Sequence, residues 1–277
     1  RHVIVVDDAS PDSLQEVLKM VSDQRLIVLR HEVNRGVGAA MKTGFLKAIE
    51  LEADIIVKID GDGQMDPALI VAGRADFTKG NRFRDLVFLR NIPFVRRIGN
   101  MGLSFLVKIA SGYWSLFDPC NGYIALRTET LKAMNFRRIA DRYFFEITML
   151  CEAYFAKAVL KDIPMKPIYA DEVSSLNSLK ALSEFSPRLV TRTLYRIFMS
   201  YFLIDFSVVS LFLVAGLPLF LFGVAWSLYH WATSMEAHVF ASTGTVMIGA
   251  LSIILGFQLL LQSVVLDVQN EPGRYAR

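Results

Sequence analysis

Cysteine is almost missing: Cys120 and Cys151 are the two in 277 residues, with neither metal nor redox spacing. That excludes a disulfide scaffold and leaves reduced, buried thiols in a cytoplasmic domain as the reading. The four histidines form no ligand cluster. A net charge of +3 is too small to argue for nucleic acid, and basic motifs interleaved with aromatics are absent. Internal repeats and low-complexity tracts are also lacking, and the opening residues do not read as a signal peptide.

Charge is missing from two long stretches, Phe206–Tyr229 and Val239–Leu266. Each exceeds the ~20 residues that cross a bilayer. The chain is 53% hydrophobic with mean hydropathy +0.38, and the surplus sits here. A buried core helix is rarely so apolar for so long, twice in succession, so two membrane helices are expected. Arg188, Arg192 and Arg196 precede the first stretch, and Arg274 and Arg277 follow the second. The connection from Ser227 to Val239 holds no Lys or Arg, so both ends are expected to be cytoplasmic. Arg188, Arg192 and Arg196 recur every fourth residue and share a helical face. With Leu189, Leu194, Tyr195, Ile197 and Phe198 between them, they predict an interfacial helix whose basic side meets lipid headgroups or an anionic ligand. Snorkelling beside a span is the alternative for any one of them.

What the first half contains is strand–helix alternation. His2–Val6, Leu26–Arg30 and Ile55–Ile59 read as strands, Pro11–Ser22 and Val37–Leu51 as helices, with Ser10 as an N-cap. This order predicts a parallel α/β sheet. The chain opens in mid-strand, which predicts a preceding strand that is not included. Only Ala68–Ala72 separate the third strand's motif from a strand-like stretch at Ala75–Lys79. A parallel crossover needs about a dozen residues, so a segment is expected to be omitted around Leu69–Gly73.

The chemistry concentrates at strand ends. Asp60, Asp62 and Gln64 alternate after an apolar run, at the edge where open α/β sheets bind ligands. Alternate residues of an extended segment point one way, so three oxygen-bearing side chains can meet on Mg²⁺ or Mn²⁺. A polar turn is the alternative, since Asp and Gly are ordinary turn residues. Asp7 and Asp8 end an earlier strand and could bond a ribose or base, or cap a helix. Asn34-Arg35-Gly36-Val37-Gly38 reads as a turn suited to a phosphate, without a dinucleotide fingerprint. Six basic residues (Arg82, Arg84, Arg90, Arg96, Arg97, Lys108) face one acid, Asp85, over Arg82–Lys108.

Val5–Ser10, Asn34–Gly38, Asp60–Gln64, Lys79-Gly80-Asn81-Arg82-Phe83 and Asp118-Pro119-Cys120-Asn121-Gly122-Tyr123 occur in the order seen in glycosyltransferase family 2. The set most resembles the polyisoprenyl-phosphate glycosyltransferases: the dolichol-phosphate mannose synthase group and the bacterial undecaprenyl-phosphate glucosyltransferases with two C-terminal spans. The resemblance covers nearly the whole chain, including the tail Leu266–Pro272. It implies a GT-A (Rossmann-like) nucleotide-sugar domain that moves a hexose from a nucleotide-sugar, UDP-hexose or GDP-mannose, to polyisoprenyl phosphate, with inversion. Asp60, Asp62 and Gln64 would then hold Mg²⁺ or Mn²⁺. Asp7, Asp8, Lys58 and Asp60 would bind the nucleotide, and Arg82, Arg96 and Arg97 the acceptor phosphate. Asp118 and Glu146, and more weakly Lys166, would face the sugar. Asp60, Asp62 and Asp118 form the catalytic set. Where related enzymes carry an Arg for the donor phosphates, Glu172–Leu176 has none, and Lys180 is the nearest substitute.

The expected organisation is a cytoplasmic domain at 1–180, an interfacial helix at 181–204, spans at 205–230 and 243–266 around an outer connection at 231–242, and a cytoplasmic tail at 267–277. The setting implied is a bacterial inner membrane, with membrane lipids as partners. Glycines 216, 223, 244, 249 and 256 would let helices approach closely, in a homo-oligomer among other arrangements. A processive polysaccharide synthase would carry a Gln-x-x-Arg-Trp motif, which is absent. A transferase acting on a lipid or sugar hydroxyl would use Asp118 as base. An inactive membrane scaffold is the non-enzymatic alternative, opposed by the intact Asp60, Asp62 and Gln64.

Overall fold

Val3–Asp7 (β1) and Leu26–Arg30 (β2) are apolar runs that pair in parallel, with Val3 opposite Leu26 and Asp7 opposite Arg30. The structure, a computed structural model, describes residues 2–11, 14–63, 65–66, 75–82, 94–119, 121–165 and 178–273, without the side chains of 15, 94–96 and 178–184. The suspected omission around Leu69–Gly73 lies outside the described residues. Helices α1 (Leu14–Lys19) and α2 (Val37–Glu50) flank β2 in sequence. A second sheet holds β3 (Ile55–Lys58), β4 (Phe77–Asn81), β5 (Ile124–Arg127) and β6 (Leu160–Pro164) in the order β3-β5-β4-β6. Between these strands lie α3 (Phe94–Ser111), α4 (Thr128–Ala133) and α5 (Phe145–Phe155).

The expected parallel pairing holds for β1 with β2 and for β4 with β6, but β5 runs antiparallel to both β3 and β4. The reason is local. After α3 the chain returns beside the carboxyl end of β4, where Gly80 N–H donates to Tyr123 O at 2.9 Å. From there β5 can only run back, Ile124 opposite Lys79. This reversal brings residues 118–123 to the edge where β3 and β4 end. Phe77, Val107, Ile124, Leu126, Phe145 and Leu150 pack beneath it as a continuous core, and the Tyr113 hydroxyl donates to Ala158 O at 2.7 Å. Cys151 is buried, with its Sγ 3.6 Å from Ala110 O.

Helix α6 (Ser178–Phe198) carries the three arginines, expected to share a face, with Arg188 exposed, Arg192 half-buried and Arg196 buried. Each guanidinium finds an internal partner. Arg188 lies 5.9 Å from the Phe144 ring, and Arg192 reaches Arg138 O at 2.7 Å and Glu152 at 3.8 Å. Arg196 is buried on Asp267. The outward face of α6 carries Val190, Leu194 and Phe198, all exposed.

The chain divides into two compact units, Arg1–Thr193 with the residues from Pro272, and Leu194–Glu271. In the second, a π-helical turn at Met199–Ile204 leads to α7 (Val208–Ala237) and α8 (Thr243–Gln269). Both are long and apolar enough to cross a membrane, and only 22% and 11% of their most apolar windows are buried, which is unlike a core helix. Helix α7 continues to Ala237, so the turn joining the two helices is His238–Ser242, and His230 packs at a tilt against Trp226 within the helix.

Glycine sets their contact. A Cβ on Gly256 would lie 2.5 Å from Phe220 N, one on Gly223 2.7 Å from Ile253 N, and one on Gly216 2.9 Å from Leu259 Cβ. Gly249 likewise faces Ser227, whereas Gly244 meets nothing closer than 3.9 Å. These four glycines therefore join two helices of one chain, and carry no argument for association between chains. Gly256→Leu is expected to lower stability in detergent by about 1–3 kcal/mol, as overpacking does. Gly244→Leu should leave the melting temperature unchanged; equal melting of both variants would show that the helices have slack.

Candidate active site

Lys58 closes β3; the chain leaves the strand at Ile59 and Asp60 and turns at Gly61–Asp62, so Asp60 and Asp62 stand on a polar turn and not on one extended segment. Lys58 Nζ lies 2.5 Å from Asp60 Oδ1, 3.7 Å from Glu146 Oε1 and 5.5 Å from the centre of the Phe145 ring. The ammonium is sealed beneath the carboxylates, Lys58 being 3% exposed. Expected at the nucleotide, Lys58 meets Asp60 and Glu146 from below. Asp60 is partly exposed and Asp62 exposed. Two carboxylates one residue apart, both reachable from solvent, suit a hard divalent cation, so these residues fit the expected metal. Gln64 lies outside the described residues. Among the described residues no three His, Cys, Asp or Glu side chains are already gathered as a metal site.

Glycine at 122 is what lets this pair form. A Cβ there would lie 2.0 Å from Asp60 Oδ2 and 2.6 Å from Lys58 Nζ. Behind the pair, burial pushes the Glu146 carboxyl up, and the charges of Lys79 and Lys58 pull it back. Lys79 is itself buried and donates to Asn121 O.

The second charged pair stands at the ends of β4 and the α3–β5 loop. Arg82 Nε donates to Asp118 Oδ2 at 2.8 Å, and Arg82 Nη2 to Asp118 Oδ1 at 3.1 Å, a bidentate fork. The Arg82 N–H adds a third bond to Asp118 Oδ2 at 3.2 Å. Arg82 and Asp118, expected at opposite partners, thus hold each other. Asp118 is 1% exposed, while the Arg82 side chain is about a third open to solvent, at 32%. Next to them Asp162 Oδ2 accepts from Asn81 Nδ2 and Phe117 N–H, each at 2.9 Å.

The acids at the end of β1 are engaged internally. Asp7 accepts from Ser10 N–H at 2.9 Å and from Arg30 Nη1 at 2.9 Å, and these bonds hold its carboxyl below the usual range. Asp8 accepts from Arg35 N–H at 2.9 Å and Gly36 N–H at 2.7 Å, and meets His31 Nδ1 at 2.7 Å. Burial raises the Asp8 carboxyl, but the bonds from Arg35, His31 and Gly36 outweigh it and the net shift is downward. In the turn expected to suit a phosphate, the Arg35 and Gly36 amides are bound to Asp8, and just beyond it Ala39 N–H donates to Asp141 O at 3.0 Å. Gly36, at φ 98°, and Gly38 serve close packing, since Cβ atoms there would collide with the backbone of Asp141 and Ala140.

Of the expected site residues, Lys58, Asp60 and Glu146 lie together and Arg82 pairs with Asp118. Arg97 sits half-buried on α3. The side chains of Arg96 and Lys180, and Lys166 and Cys120 entirely, lie outside what the structure describes. Asp162, Asn121 and the buried Lys79 went unassigned from sequence. The adjacent charges Lys161 and Asp162 within the short strand Leu160–Pro164 were the available signal for Asp162.

A family model described as Glycosyl transferase family 2 matches residues 1–134. A UDP-N-acetylglucosamine–dolichyl-phosphate N-acetylglucosaminyltransferase of Methanococcus voltae is 30% identical over 191 residues, 61% of this chain and 76% of that protein. An undecaprenyl-phosphate mannosyltransferase of Micrococcus luteus is 32% identical over 155 residues, 53% of this chain and 63% of that protein. Among solved structures, glucosyl-3-phosphoglycerate synthase of Mycobacterium tuberculosis aligns over 70% of this chain and 68% of its own, with TM-score 0.46 and 16% identity.

Proposed function

This chain belongs to glycosyltransferase family 2, its α/β unit being a GT-A domain, and from that premise we propose that it transfers a hexose from a nucleotide-sugar to a polyisoprenyl phosphate at a membrane. The observation that carries the reading is the coexistence in one chain of a charged strand-end cluster, Lys58–Asp60 and Arg82–Asp118, with two apolar helices of bilayer length. The relatives differ in the sugar named and agree on a polyprenyl phosphate, which supports the acceptor class more than the donor. The arginines before α7 and the uncharged turn after it favour a cytoplasmic domain.

In this reading the nucleophile is the acceptor phosphate. Its second pKa is near 6, so it is ionised at neutral pH and requires no protein base. It requires cations that hold it in line with the sugar. Arg82 supplies one, its guanidinium fixed in plane by Asp118, and Arg96 and Arg97 are the further candidates. Asp60 and Asp62, with Gln64, would hold a divalent cation that neutralises charge on the departing nucleoside diphosphate. Lys58 holds Asp60 in place from beneath, and Glu146 borders the sugar side. Asp8 shapes the nucleoside end by fixing the turn at Asn34–Gly38, and Asp7 holds Ser10 and Arg30. Asp118 has both oxygens engaged by Arg82, which disfavours it as the general base that a hydroxyl acceptor would need.

The test is transfer of label from UDP-glucose, UDP-galactose, UDP-N-acetylglucosamine or GDP-mannose into undecaprenyl phosphate, with Mg²⁺ or Mn²⁺ and purified protein in detergent. One donor is expected to label the lipid. Asp62→Ala should lower that rate by about 10³-fold, the scale of a lost metal contribution. Transfer to a lipid hydroxyl with none to the phosphate would overturn the reading.

A further inference from the structure

One carboxylate oxygen ties together the two segments that carry the Arg82–Asp118 pair. Asp162 lies on β6 opposite Lys79. Its Oδ2 accepts from Asn81 Nδ2 and from Phe117 N–H, both at 2.9 Å. Asn81 immediately precedes Arg82, and Phe117 immediately precedes Asp118. These donors come from β4 and the α3–β5 loop, segments joined by nothing close in sequence. A small rotation at either position would open the guanidinium–carboxylate fork, whose geometry depends on two parallel hydrogen bonds.

We propose that Asp162 is a positioning residue: by holding Asn81 and Phe117 it sets the orientation of Arg82 and Asp118 toward the substrate phosphate. The proposal deepens the transferase reading and rests on it for the identity of that phosphate.

The environment of Asp162 argues against a role in stability alone. Among the described residues its Oδ1 is buried without a hydrogen-bond partner. The charged groups facing it are Asp118 from the α3–β5 loop, a like charge, and Lys79 from β4, an opposite one. Burial pushes the carboxyl up to about 6, and the bonds from Phe117 and Asn81 offset only part of that. The native chain therefore binds a proton that the unfolded chain lacks between pH 3.8 and about 6. Ionisation of Asp162 costs stability as pH rises through that window, and the cost is complete above it. The ion is nevertheless the better acceptor for two N–H donors, since charged acceptors bind more strongly. The site thus runs best with the form that the fold favours least.

Asp162→Asn, in the full chain, separates these roles. It keeps the volume and one acceptor oxygen while removing the charge. Above pH 7 it is expected to melt no lower than the wild type, yet to transfer about tenfold more slowly, the scale of a weakened charged hydrogen bond. The acid limb expected of the wild type near pH 6 should also lose the part that Asp162 contributes. A second readout needs no substrate. Protection of the Phe117 amide against hydrogen exchange, corrected for intrinsic rate, should fall below pH 6 in the wild type and be pH-independent in Asp162→Asn. If the variant keeps both the wild-type rate and the wild-type pH profile, or if Phe117 protection ignores pH in the wild type, the proposal is overturned. Failure of the wild type to label polyisoprenyl phosphate would refute the transferase reading alone, because the exchange result stands without it.

Discussion

Alanine at position 122 is expected to lower sugar transfer about a hundredfold, the effect of misplacing a reacting group by about 1 Å, in a protein that still folds. The backbone does not object: among the described residues the glycines with positive φ are Gly36, Gly63, Gly112 and Gly273, and Gly122 is not one of them. The obstacle is contact. A methyl would stand 2.0 Å from Asp60 Oδ2, 2.6 Å from Lys58 Nζ and 3.0 Å from Met65 Cε. All three are ends of side chains, so the strain can be relieved by rotating them away at modest cost in stability. Relief, however, separates Lys58 from Asp60 and re-aims the carboxylate that would hold the cation. The expected signature is a fall in kcat/KM together with weaker Mn²⁺ affinity and near-normal melting. A wild-type rate from Gly122→Ala would mean that Asp60 works from a position other than the one Lys58 holds.

Single-segment patterns carried far into this fold, and contacts across segments did not. Strand β2 falls on the expected residues, and α2 and the end of β3 within a residue, because apolar periodicity and Gly breaks are local signals. The two apolar helices were equally legible, since charge-free stretches of that length are rare outside a bilayer. The pairing of Arg82 with Asp118 was not legible: it depends on β5 reversing beside β4, which no local pattern announces. The arginines of α6 show the same limit. Their spacing gave the shared face, but Arg192 and Arg196 turn inward because Glu152 and Asp267 supply acceptors from distant segments. Lys58 looked like a ligand-binding cation at a strand end. Its burial follows from Glu146 and Phe145, which α5 brings up from behind.

Asp267→Ala is expected to destabilise the helical unit by about 3–5 kcal/mol, the range for breaking a buried ion pair from one side. Arg196 is 1% exposed, and its two terminal nitrogens reach Asp267 at 2.7 and 2.9 Å. The Tyr201 hydroxyl donates to the same carboxylate at 2.5 Å. Removing the acid therefore takes a charged acceptor from a guanidinium and a phenol together, close to the π-helical turn at Met199–Ile204. Removing both charges, as in Arg196→Met with Asp267→Leu, should recover most of the loss, because an apolar pair has no desolvation penalty to offset. The comparison is made by melting the purified protein in one detergent at one lipid ratio. A loss below about 1 kcal/mol for Asp267→Ala would place the pair in the range of screened surface contacts. A large loss, recovered in the double variant, would mark the pair as a matched charge set, whose value lies in neither residue being buried alone.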